Sequence, residues 1–213
     1  MGDSNMQIEV FADIWCPFTH VGLRAVDEHR RRAGRTDVGI FVRSWPLELV
    51  NGAPMDPGKA AEHAVELRDQ VSPQLFQHLD LAHFPVSTLD ALALVCRAYR
   101  VDVKVGERAS VVLRDALFEH GQDIGDPDVL RSIAAELGIG PAEDADHAAV
   151  LADLDEGRRR GVQGSPHFFC GGANVFCPSL EITRVTGSGL SITRSLSRLT
   201  DFLDGCLGGD PPA

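Results

Sequence analysis

The chain has 213 residues, 44% of them hydrophobic and 24% charged. That is globular composition, with apolar material for a core that needs no disulfide staples. Its formal net charge of -11 at pH 7 repels phosphate backbones, so no nucleic-acid partner is expected.

No apolar run is long enough to span a membrane, so no membrane partner is expected. Met1–Asn5 carries no basic region of the kind that opens a signal peptide. A soluble, cytoplasmic protein is the expectation. The cysteines are Cys16, Cys96, Cys170, Cys177 and Cys206. An odd number in a reducing compartment argues against a disulfide framework.

In chain order, residues 7–14 read as a strand, being rich in β-branched and aromatic side chains. Trp15-Cys16-Pro17 follows, then a helical stretch to about Ala33, punctuated by Gly34. Residues 38–45 read as a second strand, and the helical crossover implies a parallel pair. From Pro57 to about Leu137 the spacing predicts helix after helix, over Ala60–Gln70, Pro73–His83, Thr88–Tyr99, Val105–His120 and Asp126–Leu137. Cap and first-turn residues mark several starts, as at Ser72-Pro73 and Asp126-Pro127. His147–Arg160 is a further amphipathic helix. Strand character returns at His167–Cys170, and Gly171–Asn174 turns the chain into a strand beginning at Val175–Cys177, a hairpin. A last helix is expected over Ser191–Cys206, and the tail Gly208–Pro212 is expected to be disordered. The simplest architecture is an α/β layer interrupted by a helical insertion.

Chemistry concentrates where the first strand meets the first helix. A helix N-terminus offers unpaired N–H groups and a positive dipole end. Both favour thiolate, so Cys16 is expected to have a lowered pKa and to be the most reactive thiol. Pro17 suits the first turn because it has no N–H to leave unpaired. Thr19, three residues on and at an exposed helix start, can donate a hydrogen bond to the sulfur. The competing reading makes Cys16 a small buried hydrophobe, but the strand–Cys-Pro–helix setting favours the nucleophile. Trp15 reads as packing, while His20 either tunes the cysteine or points to solvent. Ser165-Pro166 precedes the strand at His167, and only X–Pro bonds commonly become cis.

Elsewhere the bland readings win. Cys170 and Cys177 flank the hairpin and form a redox switch or, preferably, two buried thiols. Cys96 shares an apolar helix face with Leu92 and Val95 and reads as core. No metal-ligand spacing is present. Arg158-Arg159-Arg160 is a solvated helix end, or a lure for an acidic small thiol.

Three stretches carry a family resemblance across nearly the whole chain: Asp13-Ile14-Trp15-Cys16-Pro17-Phe18-Thr19-His20-Val21-Gly22, Trp45-Pro46-Leu47-Glu48-Leu49, and Gly161-Val162-Gln163-Gly164-Ser165-Pro166-His167-Phe168-Phe169. Together they resemble the DsbA-like thioredoxin superfamily, especially its cytoplasmic FrnE-like and 2-hydroxychromene-2-carboxylate isomerase-like branch. The resemblance implies a thioredoxin fold at residues 6–56 and 141–207, with an inserted helical domain at 57–140. It implies that Cys16 and Thr19 form the catalytic pair and that Pro17, Ser165 and Pro166 bind substrate, with a cis Ser165–Pro166 bond facing the nucleophile. No cofactor is implied beyond a low-molecular-weight thiol as co-substrate. The implied partners are a small thiol or a protein disulfide, and a homodimer is left open.

One departure bears on function. The oxidoreductases of this family carry Cys-x-x-Cys, and here Thr19 stands at the second position. The resolving attack that frees a mixed disulfide is closed at that place, leaving a monothiol Cys-Pro-Phe-Thr site. The isomerase and kappa-class glutathione transferase relatives have serine where Cys16 stands. Thiol-disulfide exchange at Cys16 is the leading expectation. A thiol-dependent isomerase or transferase and a non-enzymatic ligand-binding descendant are the alternatives.

Overall fold

The protein is described by a computed structural model, which covers residues 7–185 and 189–207. The terminal stretches Met1–Asn5 and Gly208–Pro212 discussed above lie outside the described residues. Strand β1 (Gln7–Ala12) pairs in parallel with β2 (Gly39–Ser44), with Ile8 opposite Ile40 and Val10 opposite Val42. Helix α1 (Pro17–Arg32) makes the crossover that a parallel pair requires. Strand β3 (His167–Cys170) joins the other side of β1 antiparallel, and β4 (Ala173–Phe176) follows it as a hairpin, giving the order β2-β1-β3-β4. This is the α/β thioredoxin layer that the resemblance implied.

Alternation along β1 divides the core between the two faces of the sheet. Ile8 and Val10 pack with Leu23 and Val26 of α1 and with Leu199 and Leu203 of the C-terminal helix. Phe11 points the other way, into a cluster with Trp45, Leu154 and Phe169. Leu154 lies on helix α7 (Asp144–Arg159), whose Gly157 faces the Trp45 ring. A Cβ at Gly157 would stand 2.5 Å from that ring, so only glycine lets the helix approach so closely.

Between β2 and α7 the chain forms α2 (Leu47–Asn51), α3 (Pro57–Gln70), α4 (Leu89–Val101), α5 (Val103–Phe118) and α6 (Pro127–Leu137). Leu92, Leu94, Leu113 and Leu117 anchor a second core there, which reaches Ile14, Trp15 and Val21 beside the start of α1. Among the described residues no helix is long and apolar enough to cross a membrane.

Three local expectations are corrected. Pro73–His83 is not an α-helix; only Leu81–His83 forms a single 3-10 turn. Phe76 there adopts a left-handed φ of 61° and donates its N–H to the Glu119 carboxylate, so a tertiary partner replaces the helical one. The expected helix over Ser191–Cys206 is a strand followed by a helix. β5 (Leu180–Arg184) and β6 (Leu190–Arg194) form a separate antiparallel ribbon, and α8 (Leu196–Leu207) begins only after it. Glu66 and Gln70 of α3 accept from the Leu190 and Ile192 N–H groups, satisfying the ribbon's outer edge.

The third correction concerns the cysteines. Cys170 is disulfide-bonded to Cys206 on α8, with a Cα–Cα distance of 5.9 Å. In the hairpin register Cys170 lies opposite Ala173, which places Cys177 beyond its reach across the ladder. Cys16, Cys96 and Cys177 are free thiols.

Candidate active site

Cys16 caps α1, with extended backbone angles of φ -78° and ψ 109°, and Pro17 occupies the first helical turn. The Thr19 and His20 N–H groups donate to the Cys16 carbonyl at 3.1 and 3.3 Å, closing that turn. The sulfur is almost fully buried, and its S–H donates to the Ser165 carbonyl at 3.0 Å. The Ser165–Pro166 peptide bond is cis. The Ser165 hydroxyl lies 2.8 Å from the Thr19 hydroxyl and accepts from the Asp13 N–H at 2.9 Å. The loop before β3 is thus stitched to both sides of Cys16. Cys16, Thr19, Ser165 and Pro166, expected to meet, do meet. Pro17 is buried at the start of the helix beside them.

Two expectations about these residues are corrected. Thr19 is fully buried rather than exposed, because α1 leans its first turn against the Ser165 loop. The Cys16 thiol lies above its ordinary pKa. Burial drives it up, and the Asp13 charge adds to that, against the opposing influence of Thr19 and Ser165. In this closed arrangement desolvation outweighs the helix terminus, and the thiol is the favoured form.

Beneath the cysteine lies a polar network that sequence reasoning did not find. Asp13 is fully buried, and its carboxylate accepts from the Trp15 N–H at 3.1 Å, the Thr88 hydroxyl at 2.9 Å and the Leu47 N–H at 2.5 Å. Burial raises its pKa against those donors. Arg114 is also buried and donates to the Asp13 carbonyl at 3.1 Å and to the Ser110 carbonyl at 2.8 Å. Burial lowers the Arg114 guanidinium to about 10, which leaves it charged at neutral pH. Glu48 accepts from the Ser87 hydroxyl and the Thr88 N–H, fixing the start of α4 against α2. The available signals were an aspartate closing an apolar strand and an arginine on the otherwise apolar face of α5.

His20 does not point to solvent. It is fully buried, with Nε2 2.6 Å from Glu119 and Nδ1 3.0 Å from an Arg24 amine. The Arg24 donor makes Nδ1 the acceptor, so a neutral ring presents Nε2–H to the Glu119 carboxylate. Burial keeps the imidazole below its usual pKa. Trp15 is buried and stacked on Phe84 at 6.4 Å, a packing role as expected. The arginine run is not a free cationic face. Arg158 and Arg159 pair with Asp155 and Glu156, and Arg160 pairs with Glu9 while lying 4.0 Å over the Phe169 ring. Among the described residues no cluster of three or more His, Cys, Asp or Glu is arranged to hold a metal.

A family model described as a DSBA-like thioredoxin domain matches residues 7–185. Among solved structures, the chain is similar to a probable DsbA oxidoreductase from Streptomyces coelicolor, at 22% identity over 98% of this chain and 92% of that one, with a TM-score of 0.63. It is similar to the cytosolic disulfide reductase DsbM from Pseudomonas aeruginosa with GSH, at 15% identity over 96% and 100% of the two chains and a TM-score of 0.62. A 2-hydroxychromene-2-carboxylate isomerase matches at 13% identity over 80% and 88%, with a TM-score of 0.61. At such identities these likenesses speak for the fold. No curated protein matches the chain.

Proposed function

The chain belongs to the DSBA-like thioredoxin domain family, and on that premise we propose that it is a thiol-disulfide exchange enzyme working through the single active-site cysteine Cys16. The observation that carries the reading is the placement of Cys16 at the N-cap of α1 against the carbonyl of Ser165. A substrate that takes over the Ser165 carbonyl frees the sulfur from its hydrogen bond and opens it to solvent. The Cys16 thiolate then attacks one sulfur of a disulfide, a new S–S bond forms at Cys16, and the other substrate sulfur leaves as thiolate. Ser165 and Pro166 orient the bound partner through backbone contacts, and Pro17 and Thr19 hold the first turn in place.

Thr19 cannot attack the adduct, so release falls to an incoming low-molecular-weight thiol, which expels Cys16 and carries away the substrate sulfur as a disulfide. The fold likeness to a reductase solved with GSH supports a glutathione-type thiol in that role. The cycle needs a reduced thiol pool, and so we place it in the cytoplasm. The Cys170–Cys206 bond weighs against that location. The isomerase or transferase alternative keeps the same geometry, with Cys16 holding a bound thiol instead of exchanging with it.

The test is incubation of the reduced protein with oxidised glutathione, followed by mass spectrometry and peptide mapping, alongside Cys16→Ser. Glutathione on Cys16 as the first product, absent from the variant, is the expected result. A protein in which Cys16 neither takes up glutathione nor becomes oxidised, or one that takes it up on Cys96, would overturn the reading.

A further inference from the structure

Cys177 is a buried free thiol with no role in the site as described. It follows β4, where the exposed Phe176 ends the ladder. At Cys177 the backbone turns into the left-handed region, with φ 44°, a conformation that a non-glycine residue holds only when its surroundings impose it. The imposed turn sends the side chain inward. Cys177 is buried in the same apolar cluster as Ile14, Trp15 and Val21, which bracket Cys16 in sequence.

The turn also anchors to the loop that faces Cys16. The Cys177 N–H donates to the Pro166 carbonyl at 2.9 Å, while the Cys16 S–H donates to the Ser165 carbonyl at 3.0 Å. The two cysteines therefore hang from successive carbonyls of one Ser-Pro unit. We propose that Cys177 is a second, internal exit for the Cys16 adduct, a resolving thiol supplied by the β4 turn in place of the one missing at position 19. The inference rests on the single-cysteine exchange chemistry proposed above.

The step balances. Cys16 carries the substrate sulfur as a mixed disulfide. Cys177 loses its proton and the thiolate attacks the Cys16 sulfur; a Cys16–Cys177 bond forms, and the substrate sulfur departs with the electron pair and takes up the proton, leaving as a thiol. The substrate disulfide is the oxidant, reduced by two electrons over the two steps. Two small thiols then return the enzyme to its dithiol form. Burial pushes the Cys177 thiol up to about 12, with the nearby Cys16 adding to the effect, so its thiolate is scarce. The internal exit is therefore slow, and it matters when external thiol is low.

The test uses the reduced protein and dithiobis-nitrobenzoate in buffer free of small thiols, with Cys177→Ser and Cys177→Ala in parallel. Wild type should form the nitrobenzoate adduct at Cys16, lose it, and yield a cross-linked Cys16–Cys177 peptide. In both variants the adduct should last on the order of tenfold longer, since a tethered thiol acts at high effective concentration. The cross-linked peptide needs no variant to fold. An adduct equally long-lived in wild type and variants, or a Cys16–Cys96 cross-link, would overturn the proposal and leave single-cysteine exchange standing. Failure of Cys16 to take the label in any of the proteins would remove both.

Discussion

At the scale of single residues, position 19 decides whether the proposed exchange has a resolving group within one turn of Cys16. The Thr19 hydroxyl is spent on Ser165, 2.8 Å away, inside a buried first turn. Thr19→Cys should place a thiol one turn from Cys16, at the cost of that hydrogen bond, about 1 kcal/mol. In a Cys177→Ser background, where no other internal exit competes, the exchange should raise dithiol-oxidation activity severalfold. Equal rates with Thr and Cys at position 19 would mean that resolution does not limit turnover. The burial that raises the Cys16 pKa belongs to the same scale: it makes the thiol the favoured form of the closed site.

At the scale of elements, close packing at a named position sets where α7 lies. Gly157 of α7 has the Trp45 ring carbons at 2.5 and 2.6 Å and Phe11 at 3.0 Å from where a Cβ would stand. Gly157→Ala must push the helix off two rigid rings, a cost of about 1–3 kcal/mol that outweighs the gain in helix propensity. Gly205 of α8 has nothing within 4 Å of such a Cβ, so Gly205→Ala should stabilise by up to about 1 kcal/mol. Urea denaturation of the two variants reads the opposite signs, and a shift of the same sign in both would refute the packing argument. Just past the C-terminal end of α5, Glu119 holds His20 and the Phe76 N–H together. Burial works to raise the Glu119 carboxyl, but His20 and the Phe76 N–H outweigh it and hold it below the ordinary range. A depressed carboxylate contributes stability above its unfolded pKa of about 4.3 and loses it as the pH falls through the folded value. Glu119→Gln should therefore cost about 2 kcal/mol at neutral pH, and the difference from wild type should shrink as the pH drops below about 4. A difference that widens on acidification would show that the carboxylate is not the stabilising form.

At the scale of the whole molecule, the C-terminal helix is held to the sheet by apolar packing and by the Cys170–Cys206 bond, which closes a sequence separation of 36. Restricting a loop of that length in the unfolded chain is worth about 2–4 kcal/mol. Cys206→Ala should lose that amount in non-reducing buffer, and dithiothreitol should bring wild type down toward the variant. Equal stability of the two proteins before reduction would mean that the thiols are not joined in solution. The same helix packs on α1 through the sheet-face core, so the bond steadies the element that carries Cys16 without touching the site.

The sequence by itself determined the local elements whose pattern is short-range. The β1–α1–β2 unit, the helices around Leu92, Leu113 and Ile133, and Cys16-Pro17 at a helix start all follow from periodicity and cap residues within one or two turns. Ser165-Pro166 was legible as a candidate partner only through the resemblance, because nothing local ties residues 149 apart. Tertiary structure alone decided the rest. Pro73–His83 gave up its helix to Glu119, and Ile192 entered a ribbon capped by α3. Asp13 and Arg114 went under the cysteine, and Cys170, expected as a buried thiol, is bonded to Cys206. In each case a long-range partner supplied the hydrogen bond or contact that the local pattern assigned elsewhere, and satisfaction of buried polar groups outweighs a helical propensity worth only tenths of a kcal/mol per residue.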